Sequence, residues 1–310
     1  MGIELFNACK DGNVEDVIQL LQNEQINTNW QYENDWQDDD DYTPLCIACR
    51  YGHIDIVKLL LNDKRVDIKK GGLHREAPLY IACKNGHIDI VKLLLNDSRV
   101  DINKANDFWT TPFFAACEYG YFDIVKLLLN DQRVDITKTD KVDSTPFYSA
   151  CSQGHIEVVK LLLNDQRVDI KKANRRYETP FYIACEYGHL EIVKLLLNDK
   201  RGIDANKAMA GGTTPLFIAC CFGHTEIVKL LLNDESLGVD INKGDDYGQT
   251  PFYTACYNGH IEIVKLLLND QRIININQTN RREETPFYIA TPFYIATTRT
   301  YRNLEIIIKR

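Results

Sequence analysis

Polar residues recur along the chain with a spacing that suits one face of a helix. After Gly52, residues Ile54, Ile56, Val57, Leu59, Leu60 and Leu61 are apolar, whereas Asp55, Lys58 and Asn62 stand three and four apart. The pattern predicts a short helix with a wide apolar arc and neighbours on more than one side. Asp55 falls in the first turn, where the helix dipole favours an anion. Asn62 is a candidate for the left-handed residue that ends the helix. Helices under roughly 12–15 residues are marginal alone, so other elements must cover the apolar arc. Near-copies begin at Gly52, Gly86, Gly120, Gly154, Gly188, Gly223 and Gly259; the first five are 34 residues apart, and the next steps are 35 and 36. A fixed period of this size predicts stacked repeats.

A second element precedes each copy. Thr-Pro stands at 43–44, 111–112, 145–146, 179–180, 214–215, 250–251 and 285–286, with Ala77-Pro78 once in its place. Thr is a good N-cap and Pro suits the first helical position. A short apolar helix such as Pro180 to Tyr187 should follow, stopped by Gly188 in the left-handed conformation. After the second helix comes Arg-Val-Asp-Ile-x-Lys, whose alternating apolar residues predict an extended arm and a hairpin at a variable tip. Residues 1–22 read as a degenerate first copy, made more polar by Gln19 and Gln22, as a capping repeat should be. An acidic connection follows, with Trp30, Trp36 and Asp38 to Asp41. At the other end TPFYIA occurs twice, at 285–290 and 291–296, and Pro292 forbids one helix through both. Leu304 to Ile308 looks like a shortened second helix, so 285–310 reads as a worn final repeat whose poorly capped end could favour weak self-association.

The run Thr-Pro-Leu-x-x-Ala, Gly-His, Glu-Ile-Val-x-Leu-Leu-Leu and Val-Asp-Ile-Asn resembles the ankyrin repeat family, strongly over 43–284 and weakly over nearly the whole chain. The resemblance implies an all-α repeat solenoid of helix-turn-helix units with short β-hairpin-like tips and a concave binding face. It implies one array: a capping repeat and acidic connection at 1–42, seven regular repeats at 43–284 and a degenerate repeat at 285–310. It also implies that arm asparagines such as Asn103 and Asn242 are open to hydroxylation. The chain departs from the family pattern in three ways. Tyr80, Tyr148, Tyr182 and Tyr253 replace the usual His of the first helix. Trp109, Asp143, Tyr177 and Glu283 stand where a tip glycine is usual, which survives as Gly212 and Gly248. Arg-Val replaces Gly-Ala after the second helix, with one extra residue.

Composition narrows the function. The chain is 45% apolar and 26% charged, as a folded domain is, and its net charge of −8 argues against a nucleic-acid partner. The first residues lack a secretory signal, Phe6 stands where a myristoylation motif needs Ser or Thr, and Lys interrupts each apolar helix, so no membrane segment is expected. A cytoplasmic, alternatively nuclear, location is expected. Seven of ten cysteines, from Cys49 to Cys256, share one repeat position after Ala. Stacked helices lie about 8–10 Å apart, too far for disulfides, so these read as small buried apolar residues.

No catalytic residue, metal ligand or cofactor site is expected. His53, His87, His155, His189, His224 and His260 occupy one repeat position and cannot converge on an ion; they read as hydrogen-bonding residues between the two helices. The stripe Lys70, Lys104, Lys138, Lys172, Lys207 and Lys243 is balanced by Asp three residues earlier and reads as a solvated edge. What varies between copies is the end of the first helix and the tip. There the protein-binding candidates are Tyr51, Tyr119, Tyr187, Phe222 and Tyr257 at helix ends, with Phe108, Trp109, Arg175, Arg176, Tyr177 and Tyr247 at tips. Tyr, Trp and Arg dominate interface energetics. The expected function is a non-enzymatic scaffold or adaptor for a protein partner, the alternative a spacer that self-associates through its C-terminal end. Tip charge runs from acidic at Asp38 to Asp41 to basic at Arg175-Arg176 and Arg281-Arg282, which would orient a partner.

Overall fold

The computed structural model describes residues 2–31 and 42–286. The expectations for Trp36, Asp38 to Asp41, the second TPFYIA and the shortened helix at 304–308 lie outside these residues, as does self-association through the C-terminal end. The chain divides into two compact units, Met1–Val168 and Asp169–Arg310.

Unit 1 contains five helix pairs: α1 (Gly2–Asp11) with α2 (Val14–Leu21), α3 (Pro44–Tyr51) with α4 (Ile54–Asn62), α5 (Pro78–Lys84) with α6 (Ile88–Leu95), α7 (Pro112–Glu118) with α8 (Phe122–Leu129), and α9 (Pro146–Ser152) with α10 (Ile156–Leu163). Unit 2 contains α11 (Pro180–Glu186) with α12 (Leu190–Leu197), α13 (Pro215–Phe222) with α14 (Thr225–Asn233), and α15 (Pro251–Tyr257) with α16 (Ile261–Leu268). Within each unit, first helices pack on first helices and second helices on second helices. This is an all-α stack of repeats. Among the described residues no strand forms.

Local chemistry explains the elements. Threonine caps work as expected: the Thr179 hydroxyl accepts from the Tyr182 N–H and Thr111 from Phe114, while Ala77 supplies no cap. Residues 44–49 are all buried, so the first helix is the core of the stack. The second helix buries only Ile56, Val57 and Leu60 fully, leaving Asp55, Lys58 and Asn62 in water. Asp55 pairs with Lys58 at 2.9 Å on that outer face. Gly188 is left-handed as expected, at φ 75°, and a Cβ there would meet the His224 ring of the next repeat at 2.6 Å. Backbone conformation and space both demand glycine.

Three expectations are corrected. The asparagines after the second helix stay right-handed: Asn96 has φ −83° and ψ −10°. The helix is instead closed by the next turn, where the Asp97 N–H donates to Leu94 O. The histidines do not tie the two helices of one repeat together. His87 Nε2 donates to Arg50 O at 2.9 Å and His155 Nε2 to Glu118 O at 2.8 Å, so each binds its repeat to the one before. A carbonyl only accepts, so Nε2 carries the proton. The arm is a run of turns rather than an extended strand, because its polar groups bond across repeats. Asn103 Nδ2 donates to Arg133 O and its Oδ1 accepts from the Asp135 N–H, both at 2.8 Å.

The Arg-Val departure has a structural purpose that the linear sequence did not reveal. Arg99 holds the Asp97 carboxylate through Nε and Nη2, and Nη2 also donates to Leu61 O at 2.8 Å. That carbonyl belongs to the preceding repeat, at a helix end left without intrahelical partners. Arg65, Arg133, Arg167 and Arg272 repeat the clasp on Leu21, Leu95, Leu129 and Leu232. The Asp carboxyls, held by their arginines, lie below the usual carboxylate range, Asp199 at about 2. The cysteines among the described residues form no disulfide, and burial pushes the thiols of Cys9, Cys46 and Cys256 up to about 12. These sulfurs stay protonated at neutral pH and behave as small apolar groups. Cys221, the exception, is half-exposed.

Candidate functional site

The tips are tight turns closed by one residue. In the tip of α7, Asn106 Oδ1 accepts from the Phe108 and Thr110 N–H groups, and Trp109 N–H returns to Asn106 O. This geometry forces the fourth residue into the left-handed region. Gly212 and Gly248 adopt it at no cost, but Trp109 (φ 66°), Asp143 (63°), Tyr177 (61°) and Glu283 (62°) adopt it too. The glycine departures therefore leave the turn unchanged and store strain at side chains of which Trp109, Tyr177 and Glu283 are exposed. Adjacent tips are joined by single backbone bonds: Lys141 N–H donates to Phe108 O in unit 1, and Ala210 N–H to Arg176 O and Arg281 N–H to Tyr247 O in unit 2.

The tyrosines that replace the usual histidine also reach the next repeat. Thr110 Oγ1 donates to the Tyr80 hydroxyl at 3.2 Å, the Tyr182 hydroxyl bonds Thr213 at 3.0 Å, and Asn280 Nδ2 donates to Tyr253 at 2.9 Å. Each of these three bonds ties a first helix to the tip of the next repeat.

The predicted helix-end aromatics Tyr51, Tyr119, Tyr187, Phe222 and Tyr257 are 43–57% exposed, although each helix is buried from its proline to the cysteine of its Ala-Cys pair. Tyr51, Tyr187 and Phe222 stack on the histidine two residues on, at 6.2–6.3 Å between ring centres. The tip residues Phe108, Trp109, Arg175, Arg176, Tyr177 and Tyr247 are exposed as well.

Two grooves bring some of these residues together. In unit 1, Phe108 and Tyr119 share a groove of about 390 Å³ with Tyr80, Lys84, Glu118, Asp140 and Lys141. Lys141 Nζ lies 5.7 Å over the Phe108 ring, and His74 meets that ring edge-on. In unit 2, Tyr247 and Tyr257 share a groove of about 700 Å³ with Phe217, Arg281 and Arg282. Tyr51, Trp109, Arg175, Arg176, Tyr177, Tyr187 and Phe222 belong to neither groove. Glu118 and Glu186, at one repeat position, belong to the variable helix ends read from the sequence but not to the binding candidates chosen there. Burial raises both carboxyls above the usual range; Lys84 opposes this at Glu118, whereas Glu178 adds to it at Glu186. Their signal in the sequence was the shared Glu-Tyr-Gly ending.

Among the described residues no group of three or more His, Cys, Asp or Glu side chains could hold a metal ion. No helix there is long and apolar enough to cross a membrane.

The family model for ankyrin repeats, described as Ankyrin repeats (3 copies), matches residues 5–106, 79–174, 113–209, 147–245, 200–280 and 235–294. With most of its length so matched, the chain belongs to the ankyrin repeat family. Ankyrin repeats generally mediate protein–protein interaction and are typically non-catalytic. No curated protein matches the chain significantly.

Proposed function

We propose that this chain is a non-enzymatic scaffold or adaptor that binds a protein partner through the face made by its tips and first-helix ends. The observation that carries this reading is the exposure of Tyr51, Tyr119, Tyr187 and Phe222 at one repeat position, and of Tyr257 one residue earlier in its copy, at the ends of otherwise buried helices. Exposed aromatics set on a rigid stack lose little freedom on binding, which is where much of the cost of association lies. The array would run over 1–310, with 1–42 as cap and connection, 43–284 as regular repeats and 285–310 as a degenerate end. It would act in the cytoplasm or nucleus, without metal, cofactor or nucleic acid.

The test is affinity capture from native extract with the parent and a Tyr119→Ala, Tyr187→Ala, Phe222→Ala, Tyr257→Ala variant, after matched circular dichroism and melting. Capture of a protein by the parent and its loss from the variant supports the face. Equal capture by both overturns it.

A further inference from the structure

The groove at the end of α7 carries charge that its own architecture does not use. Among the described residues no hydrogen bond or ion pair reaches the half-buried Glu118 carboxylate. Other copies place Arg50, Lys84, Ser152, Cys221 or Tyr257 at this position, so the repeat needs no carboxylate there. Asp140, which lines the same groove, organises its tip by accepting from the Val142 and Ser144 N–H groups at 3.0 and 2.7 Å. Asn106 and Asn174 do the same work with a neutral amide. The charge of Asp140 is thus surplus to the turn. The groove's two ammonium groups are engaged elsewhere: Lys84, which offsets part of the burial cost of Glu118, is held by Glu76 at 2.8 Å, and Lys141 lies over the Phe108 ring, where an incoming guanidinium would have to displace it.

Unit 2 meets the same position differently. Beside Glu186 stands Arg176, which pairs with the buried Glu178 at 3.2 Å and partly offsets the cost of Glu186's charge. The unit 1 groove has the carboxylates and the aromatic walls without an arginine. The wider charge agrees: unit 1 has 27 acidic and 18 basic residues, unit 2 has 17 and 18.

We propose that the unit 1 groove takes an arginine side chain from the partner protein, held by the Glu118 and Asp140 carboxylates and the Phe108 and Tyr119 rings. A guanidinium suits this setting better than an ammonium. It is planar, forms paired bonds to carboxylates, stacks on aromatic faces and gives up its water more readily. The proposal rests on the reading of this face as protein-binding.

The test uses immobilised nonapeptides of random flanking sequence with central Arg, Lys, citrulline or Leu, probed with the full chain and with E118Q, D140N, E186Q and Y119A. Citrulline keeps the shape of arginine without its charge. Arg-centred peptides should be retained over the other three. E118Q should lower retention at least tenfold and D140N less, with E186Q unchanged. The melting temperature of E118Q should not fall below that of the parent, which separates lost recognition from lost folding. Lys-centred peptides retained as well as Arg, or Arg peptides retained equally by E118Q, overturn the proposal. Peptides retained without arginine preference but lost in Y119A overturn it while leaving the binding face intact. Peptides retained equally by every variant, or none retained by the parent, overturn both.

Discussion

The endings of α7 and α11 have the same sequence, Cys-Glu-Tyr-Gly, and nearly the same backbone, yet they stand in different surroundings. Tyr119 and Tyr187, the C-cap residues, have φ of −91° and −88°, and the following glycines have φ of 76° and 75°. Each preceding glutamate is buried enough to raise its pKa. The tip of α11 contributes an arginine–glutamate pair, Arg176 with Glu178, whereas the tip of α7 contributes Phe108 and Trp109. The lesson is that the repeat separates two jobs. One set of positions locks neighbouring repeats together and scarcely changes. Another set, at helix ends and tips, changes without touching those locks.

If the scaffold is the same in both units, damage to a lock should cost the same in either. Gly120→Ala and Gly188→Ala each force a left-handed alanine and drive a Cβ into the histidine of the next repeat, His155 or His224. The conformational penalty and the overpacking together should remove about 3 kcal/mol of stability. Urea unfolding of the two variants should give similar losses, and a much smaller loss at one would show that the locks differ between units.

The arginine clasp allows a finer comparison. Arg65 in unit 1 binds two carbonyls, Leu21 O and Asn23 O, whereas Arg272 in unit 2 binds Leu232 O. Arg65→Ala should cost about 1.5 kcal/mol and Arg272→Ala about 1, since both side chains are partly exposed. The arginine–aspartate pair of that turn, here Arg201 with Asp199, sets a pH dependence. Asp199 titrates at about 2 when folded, below its unfolded value near 4. Its contribution is present above pH 4 and is lost as pH falls from about 4 to 2. Asp199→Asn should flatten the melting temperature over that window and change the slope little above it.

Much of this scaffold was legible in the sequence. Thr-Pro starts, glycine stops and the three–four spacing of Asp55, Lys58 and Asn62 are local signals, and each helix of the regular repeats stands where they place it. Cross-repeat chemistry was not legible. Arg99 reads as a loop residue until its partner, Leu61 O, is known to lie beside it from the previous repeat. The arm looked like a strand because Val and Ile alternate, but Asn103 spends its amide on the next repeat. In the candidate site, the exposure of Tyr119 and Phe108 could be read from their variation between copies. Their shared groove could not, since residues from three repeats, among them Lys84, Glu118 and Asp140, build it.

The tips offer a comparison of strained with relaxed turns. Trp109 and Tyr177 hold φ of 66° and 61°, whereas Gly248 reaches 78° without a Cβ. Trp109→Gly and Tyr177→Gly should each raise stability by about 1 kcal/mol, and Gly248→Ala should lower it by about as much. Thermal melting checks all three. Loss of partner capture by the stabilised Trp109→Gly would place the Trp109 side chain in the binding face; unchanged capture would leave recognition to the other tips and the helix ends.

The smallest effect bears most directly on the two glutamates. A carboxyl with a raised folded pKa costs the folded state nothing while it is protonated in both states. The cost appears as pH rises through the unfolded value, about 4.3, and is complete above the folded value. Glu118→Gln should therefore raise the melting temperature slightly at pH 7 and leave it unchanged at pH 3. Glu186→Gln should gain too, because Glu178 adds to the burial cost there. In the double variant Arg176→Ala, Glu186→Gln, the gain from the glutamine should be larger than in the presence of Arg176, since that guanidinium now offsets part of the cost. The matching double variant in unit 1 is Lys84→Ala, Glu118→Gln, where the gain should likewise be larger, since Lys84 now offsets part of the cost at Glu118. If Glu118→Gln instead lowers the melting temperature at pH 7, the carboxylate holds part of the fold together, and the unit 1 groove is a structural ion site rather than a recognition site.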